Sequence, residues 1–393
     1  MKDLHKKLLV TIFAAMMFAL PAATFILMPK EAMPFAEDEN RFLSPFVKPT
    51  GKNLFARAEN PADKPKSFMD YFDLWFADRF VMRKDWIVLN NGIQAAAGKT
   101  EINGVFTRGG RMMQVWRDYD ADAVGKVLSA VNGFAERNPE LSCYFILAPT
   151  SQEIYKDTLP PNAGAGNQEA FIKFCYDNMG SVTPINAYAP LYENRESYIY
   201  YRTDHHWTTF GAYLAYYAAC SRMELTPFES GAFNAEHASS DFRGTLYSKT
   251  LNSKITPDVI SFYTLAKFPP PNITLKINTG AEINEYGSLY FREYLDKKDK
   301  YSAFLGPNAP ITDIFTDLEN NEKALLIFKD SYAHSLIPFL VNHYKRITVL
   351  DMRYINTDIR YFTDLTEYDQ VLFIYNAITF SEETDLIKLN AVK

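Results

Sequence analysis

The chain has 393 residues, 47% of them apolar and 22% charged, which is ample for a large buried core. Its net charge of −6, with no basic tract, argues against a nucleic-acid partner. Cys143, Cys175 and Cys220 show neither CxxC nor metal spacing and lie in apolar segments. They read as buried thiols, with one disulfide open to them if the chain is exported. Aromatic residues reach 15%. A Phe-rich core accounts for much of that, and sugar-stacking surfaces are the alternative for the rest.

Lys2, Lys6 and Lys7 precede an uncharged stretch from Leu8 to Pro29. The apolar run within it, about 21 residues, is near the ~20 a helix needs to cross a bilayer. The lysines should stay on the inner side. Pro21 and Ala22-Ala23 could mark the end of a cleaved signal. Phe25 to Met28 carries the apolar run past that point, so the reading favours an uncleaved signal anchor over residues 1–29. The rest of the chain would then lie outside the cytoplasmic membrane, or be secreted if the signal is cut.

Residues 30–66 are rich in proline and read as a linker; the catalytic domain is expected over 67–393. Phe68, Tyr71, Phe72, Leu74, Trp75, Phe76 and Phe80 recur at helical spacing and predict a helix pair up to Gln94. Arg79 and Arg83 are expected to form salt bridges on its surface. Strands are predicted over Ile102–Phe106 and Met112–Trp116 around the turn Arg108-Gly109-Gly110. An amphipathic helix follows over Val124–Arg137, and Leu141–Ala148 reads as a strand buried on both faces. Then come a helix over Gln168–Met179 and strands over Val182–Asn186 and Tyr198–Arg202. Thr208 or Thr209 can cap a helix reaching about Met223.

Residues 225–320, dense in Pro, Asn, Gly and Tyr, read as a β-rich insertion. Regular alternation returns with a strand over Lys323–Lys329, a helix over Tyr332–Tyr344 and strands over Arg346–Asp351 and Asp369–Tyr375. Ser381 is expected to open a last helix. The alternation implies an α/β fold with a mostly parallel sheet and flanking helices.

Two polar knots interrupt this pattern. Asp204-His205-His206-Trp207 precedes a helix, and Lys329-Asp330-Ser331-Tyr332 follows an apolar strand. An acid, a base and a nucleophile are the minimum for acyl transfer through a serine. Ser331 at a strand-to-helix turn has helix N-terminal N–H groups beside it, suited to a developing oxyanion. The plainer reading makes Ser331 or Asp330 an N-cap. In an extended segment Asp204 and His206 project to one side, so the carboxylate can orient that imidazole. His205 would point away, lining a pocket or making a structural bond. Trp207 reads as a core residue, with a stacking platform as the alternative. Neither a metal nor a cofactor is expected, since no further ligand is spaced with Asp204 and the histidines.

Thr203 to Tyr213, TDHHWTTFGAY, resembles the signature of the bacterial DHHW proteins. That family is similar to the alginate O-acetyltransferases AlgJ and AlgX, whose motif is Asp-Thr-His-Trp, within an SGNH-hydrolase-like group bearing a Ser-His-Asp triad. Modest features agree over roughly residues 37–393. They are Glu39-x-Arg41, Asp78-Arg79-Phe80, Ala148-Pro149-Thr150 with Tyr155, Leu159-Pro160, Phe242 to Tyr247, Lys329 to Tyr332 and Asp351 to Tyr354. The resemblance implies an SGNH-hydrolase-like fold with Asp204 as acid, His206 as base and Ser331 as nucleophile, in a circularly permuted order. It places Arg353 near the active site. His205, Trp207, Tyr332 and Arg353 make up the candidate substrate-binding set. His205 departs from the related motif, where Thr stands, and Lys329-Asp330-Ser331 departs from Gly-x-Ser.

The resulting expectation is an exported O-acetyltransferase acting on hydroxyls of a cell-envelope or extracellular polysaccharide. Family logic adds a membrane-bound O-acyltransferase (MBOAT) partner that passes acetyl groups across the membrane. The alternatives are an acetylesterase with the same triad and a non-catalytic glycan-binding or scaffold subunit.

Overall fold

Apolar runs that alternate with amphipathic ones must bury both faces of a sheet under helices, and the computed structural model has that layering. It describes residues 2–54, 67–319 and 321–391. The chain forms two units, residues 1–102 with 248–253, and residues 103–247 with 254–393.

In the first unit a helical stretch, α1 (Asp3–Leu27), is 25 residues long and apolar enough to cross a membrane. It contains one π-helical turn at Ala15–Ala19 and ends where Met28 turns extended before Pro29. Its last turn packs on α2 (Phe68–Arg79): Phe25 meets Trp75 and Phe76 at ring separations of 6.3 and 5.7 Å. A capping box of Ser67 and Asp70 starts α2. After a left-handed Met82, α3 runs over Arg83–Ala96.

Residues 30–54, read as linker, include a small hairpin clamped to α2. Arg41 reaches Asp78 through both terminal nitrogens, at 3.0 and 2.5 Å. The remaining linker positions 55–66 lie outside the described residues. Arg83 pairs with Glu39, as a surface salt bridge should. Arg79 does not: it is buried and donates to the carbonyls of Ser44 and Ala32. The irregular chain there has no ladder to satisfy those carbonyls, so the guanidinium does.

The second unit opens with a hairpin, β1 (Val105–Arg108) and β2 (Arg111–Gln114). Its loop is Gly109-Gly110, both at positive φ, the geometry a two-residue hairpin turn requires. After α4 (Ala121–Arg137) come β3 (Ser142–Ala148), α5 (Gln168–Asp177), β4 (Thr183–Ile185) and α6 (Thr209–Arg222). Thr208 caps α6, its side chain accepting from Gly211 N. β5 (Phe233–Phe242) and β6 (Asp258–Leu265) form a separate antiparallel pair.

β7 (Ile273–Asn278), β8 (Ile283–Tyr286) and β9 (Ile311–Thr316) then join β10 (Ala324–Lys329), β11 (Arg346–Leu350) and β12 (Gln370–Asn376). α7 (Ala333–Leu340) links β10 to β11. The eight-stranded sheet has the order β8-β7-β9-β11-β10-β12-β3-β4. β11, β10, β12, β3 and β4 are parallel, and β7 to β9 extend them antiparallel. Segment 225–320 thus supplies a hairpin and three strands of the main sheet. All of β10 and β12 are buried, as continuous apolar runs in a covered parallel sheet should be. One face lies under α6 and α7, with Trp207, Tyr216 and Phe339; the other under α4 and α5, with Phe134, Phe171 and Phe373.

Three local expectations fail. Tyr198–Arg202 is not a strand; only Tyr200 pairs, as an isolated bridge to Trp207. Arg202 N and Thr203 N donate to the carboxylate of Asp258 instead of to a ladder. The helix after Ser331 is shorter than 332–344, spanning Ala333–Leu340. Ser381 ends a helix rather than opening one, because Asn376 caps it a turn earlier by accepting from Ile378 N and Thr379 N. The three cysteines are free and buried, and burial pushes the Cys143 thiol up to about 12.

Candidate active site

The end of β10 delivers Ser331 to the C-terminal edge of the sheet, where α/β folds collect ligands. Asp330 holds that turn. Its buried carboxylate accepts from Tyr332 N at 2.8 Å and from Asn376 N and Nδ2 at 2.8 and 2.6 Å. This ties the turn to the end of β12. Ser331 is half-buried, and its backbone N–H has no acceptor among the described residues. Lys329 does not crowd the turn. Its Nζ is buried and contacts Asp351 Oδ2, Asn308 Oδ1 and His334 Nε2 at 2.8–2.9 Å. Burial and the Lys329 charge hold His334 well below the ordinary histidine value, hence neutral.

Across from Ser331 stands the 204–207 segment. His206 Nε2 lies 2.7 Å from Ser331 Oγ, and His206 Nδ1 lies 2.6 Å from Asp204 Oδ1. Asp204 Oδ1 also accepts from His206 N at 3.0 Å, while Oδ2 accepts from Thr245 N and Oγ1 at 2.8 and 3.0 Å. Burial opposes ionisation of Asp204, but electrostatic attraction from the neighbouring imidazoles of His205 and His206 and these hydrogen bonds outweigh it. Its pKa falls far below the carboxylate range. A carboxylate on Nδ1–H fixes the tautomer that presents a bare Nε2 to the serine. The acid, the imidazole and the hydroxyl therefore form one chain of hydrogen bonds, able to draw a proton from Ser331 Oγ.

His205 takes no part in that chain. Its Nδ1 contacts Thr245 Oγ1 at 2.8 Å, and its side chain is 26% exposed, so it borders the site. One potential ligand atom from each of Asp204, His205 and His206 lies within 4.8 Å of the others, near enough for a metal ion. Their facing Asp204 and His206 atoms are already engaged with each other, Thr245 and Ser331.

Trp207 and Tyr332, named above as substrate contacts, are corrected: both are fully buried. Trp207 Nε1 donates to Tyr332 O and Ser335 Oγ, and Tyr332 Oη donates to His205 O. They lash the two motifs together, and buried aromatics with polar tips need such partners. Arg353 follows β11 and forms a bidentate ion pair with Asp351, donating from Nε and Nη2 at 2.8 and 2.6 Å, with 37% of its side chain exposed. It touches the Lys329 network through Asp351.

The sequence reading missed several supports. Tyr301 stacks on the His206 ring at 3.7 Å and 9°, and its Oη donates to Ser331 O at 3.1 Å. Asp258 accepts from Tyr198 Oη, Arg202 N, Thr203 N and Thr203 Oγ1 within 2.8 Å, which fixes the approach to Asp204. Gly244 lets Thr245 reach Asp204: a Cβ there would stand 2.2 Å from Asp204 Oδ2. The Phe242-to-Tyr247 motif was the one signal that pointed to Gly244 and Thr245. Tyr301 and Asp258 had none.

The fold defines an α/β chain of the SGNH-hydrolase-like kind. The family model for DHHW protein matches residues 92–350, more than half the chain, and the chain belongs to that family. It is similar to a DHHW family protein from Eubacterium siraeum DSM 15702, with 26% identity and a TM-score of 0.65 over 73% of this chain and 96% of that one. Bacillus cereus PatB1, in a structure with a sulfonyl adduct, is similar in fold, with 17% identity and a TM-score of 0.62 over 72% and 99%. The O-acetyltransferase domain of Pseudomonas putida AlgJ follows, with 15% identity and a TM-score of 0.44 over 74% and 99%. No curated protein matches the chain.

Proposed function

We propose that this protein is an exported, membrane-anchored serine O-acetyltransferase that acetylates hydroxyls of a cell-envelope or extracellular polysaccharide. The observation that carries the reading is the unbroken Asp204–His206–Ser331 relay, at 2.6 and 2.7 Å. His206 takes the Ser331 proton as Oγ attacks the acetyl carbonyl, and Asp204 stabilises the imidazolium. The free N–H of Ser331 receives the oxyanion; one such donor contributes about 10²–10³-fold in kcat. His206 then protonates the leaving group, leaving an acetyl ester on Ser331. In the second half-reaction His206 deprotonates a sugar hydroxyl, which attacks that ester and frees Ser331. His205 and the exposed part of Arg353 border the site and are proposed to contact substrate.

The apolar α1 supports an uncleaved anchor, with the chain after it outside the cytoplasm. No acetyl-CoA is available there, so a membrane-bound O-acyltransferase is the proposed acetyl donor.

The test uses full-length protein in detergent with a synthetic acetyl ester, with and without an oligosaccharide acceptor. A sulfonyl fluoride should label wild type and not Ser331→Ala, which should also lose turnover. The sulfonyl adduct in the PatB1 structure motivates that reagent. Acetylated oligosaccharide is the expected product; hydrolysis alone at saturating acceptor would make the protein an acetylesterase. Labelling and turnover that both survive in Ser331→Ala would remove the nucleophile assignment.

A further inference from the structure

Residues 28–102 expose an unusual amount of apolar surface. Among the described residues, twelve of their large hydrophobic side chains are exposed, against nine in the second unit. Scattered exposed apolar residues are ordinary, but a contiguous set marks a contact surface. On α3 the set is ordered. Trp86, Leu89 and Ile93 fall at i, i+3 and i+7, one face of a helix, at 36%, 53% and 59% exposure. Met82, 61% exposed, precedes them. The other side of α3 is committed elsewhere: Asn91 is buried and donates to Thr250 O, and Arg83 pairs with Glu39.

Within the same unit, α1 is tied to the α2–α3 pair at its outer end. Phe25 packs against Trp75 and Phe76, and Val81 N donates to Thr24 Oγ1 at 3.1 Å, at the turn between α2 and α3. A spanning α1 therefore delivers that turn, and the start of α3, to the depth where its own apolar stretch ends. That depth is the lipid–water interface, where Trp is favoured and an amphipathic helix lies in the plane. Residues 28–102 hold eleven basic and eleven acidic side chains, so charge does not favour an anionic surface.

We propose that α3 is an interfacial helix that rests its Trp86–Leu89–Ile93 stripe in the outer leaflet beside the anchor. Its occupant is lipid, engaged by apolar contact and indifferent to headgroup charge. The proposal rests on the anchored reading above. Functionally, it would hold the protein close to the bilayer, where a membrane-bound acetyl donor works.

The full chain is tested in phosphatidylcholine vesicles, with an environment-sensitive fluorophore on Ile93→Cys and, separately, on Leu9→Cys within α1. The native cysteines are buried and stay unlabelled. Nitroxide-labelled phosphatidylcholine should quench the probe at 93 to about half or less, and equally at high salt, because a stripe buried ~5–10 Å sits within reach of the label. Quenching at 9 but not at 93 overturns the interfacial helix and leaves the anchor standing. Quenching at neither overturns both. A blue-shifted probe at 93 that lipid does not quench overturns the lipid occupant and points to a protein surface covering the stripe.

Discussion

Replacing Asp204 by Asn tests whether the carboxylate, rather than mere packing, organises the site. Asp204 accepts four hydrogen bonds, two on each oxygen, from His206 N, His206 Nδ1, Thr245 N and Thr245 Oγ1. An amide has one acceptor oxygen, so in either orientation two donors face an NH₂ group. If its oxygen keeps His206, Thr245 N–H is stranded in a buried site, a cost of about 1–3 kcal/mol. If the NH₂ faces His206 instead, Nδ1 must lose its proton and the relay inverts. With no negative charge beside the imidazolium, turnover should fall by about 10³–10⁴, or about 4–5.5 kcal/mol of barrier.

The stability loss has a pH signature. The folded-state pKa of Asp204 is depressed, so its ionisation stabilises the fold above the ordinary carboxylate value. That contribution disappears as pH falls through the folded value. The gap between wild type and Asp204→Asn should thus be widest near neutrality and shrink on acidification. Ester turnover and urea unfolding at several pH values measure both quantities. A variant within tenfold of wild-type turnover, or a stability gap that stays flat as pH falls below the ordinary carboxylate value, refutes the argument.

His206→Ala should cost about 10³-fold in turnover and His205→Ala less than about tenfold, since only His206 reaches Ser331. The reverse ranking in parallel assays would reassign the base. Gly244→Ala forces a Cβ to 2.2 Å from Asp204 Oδ2. It should destabilise by about 1–3 kcal/mol and cut turnover by displacing the acid; unchanged denaturation and kinetics would contradict that. Tyr301→Phe keeps the ring on His206 and should retain most activity. Tyr301→Leu removes the stack and should lose about tenfold more, as a stacked pair contributes about 0.5–1.5 kcal/mol. Equal losses in both variants would assign the effect to the hydroxyl instead.

The sequence by itself determined what depends on neighbours a few residues apart. Strand β10, the turn at Ser331, the Thr208 cap and the Asp204-x-His206 contact all arise from local period and spacing, and all were legible. Tertiary structure decided what depends on chain segments far apart. Tyr301 reaches His206 and Asp258 reaches Thr203 across long stretches of sequence, because folding brings β6 and the turn before β9 beside the motif. Burial of Trp207 and Tyr332 was likewise decided by α7 closing over the sheet, which turned two apparent substrate contacts into internal ties. Which histidine faces Ser331 belongs to the same class: one residue of offset is decided by where a distant strand ends.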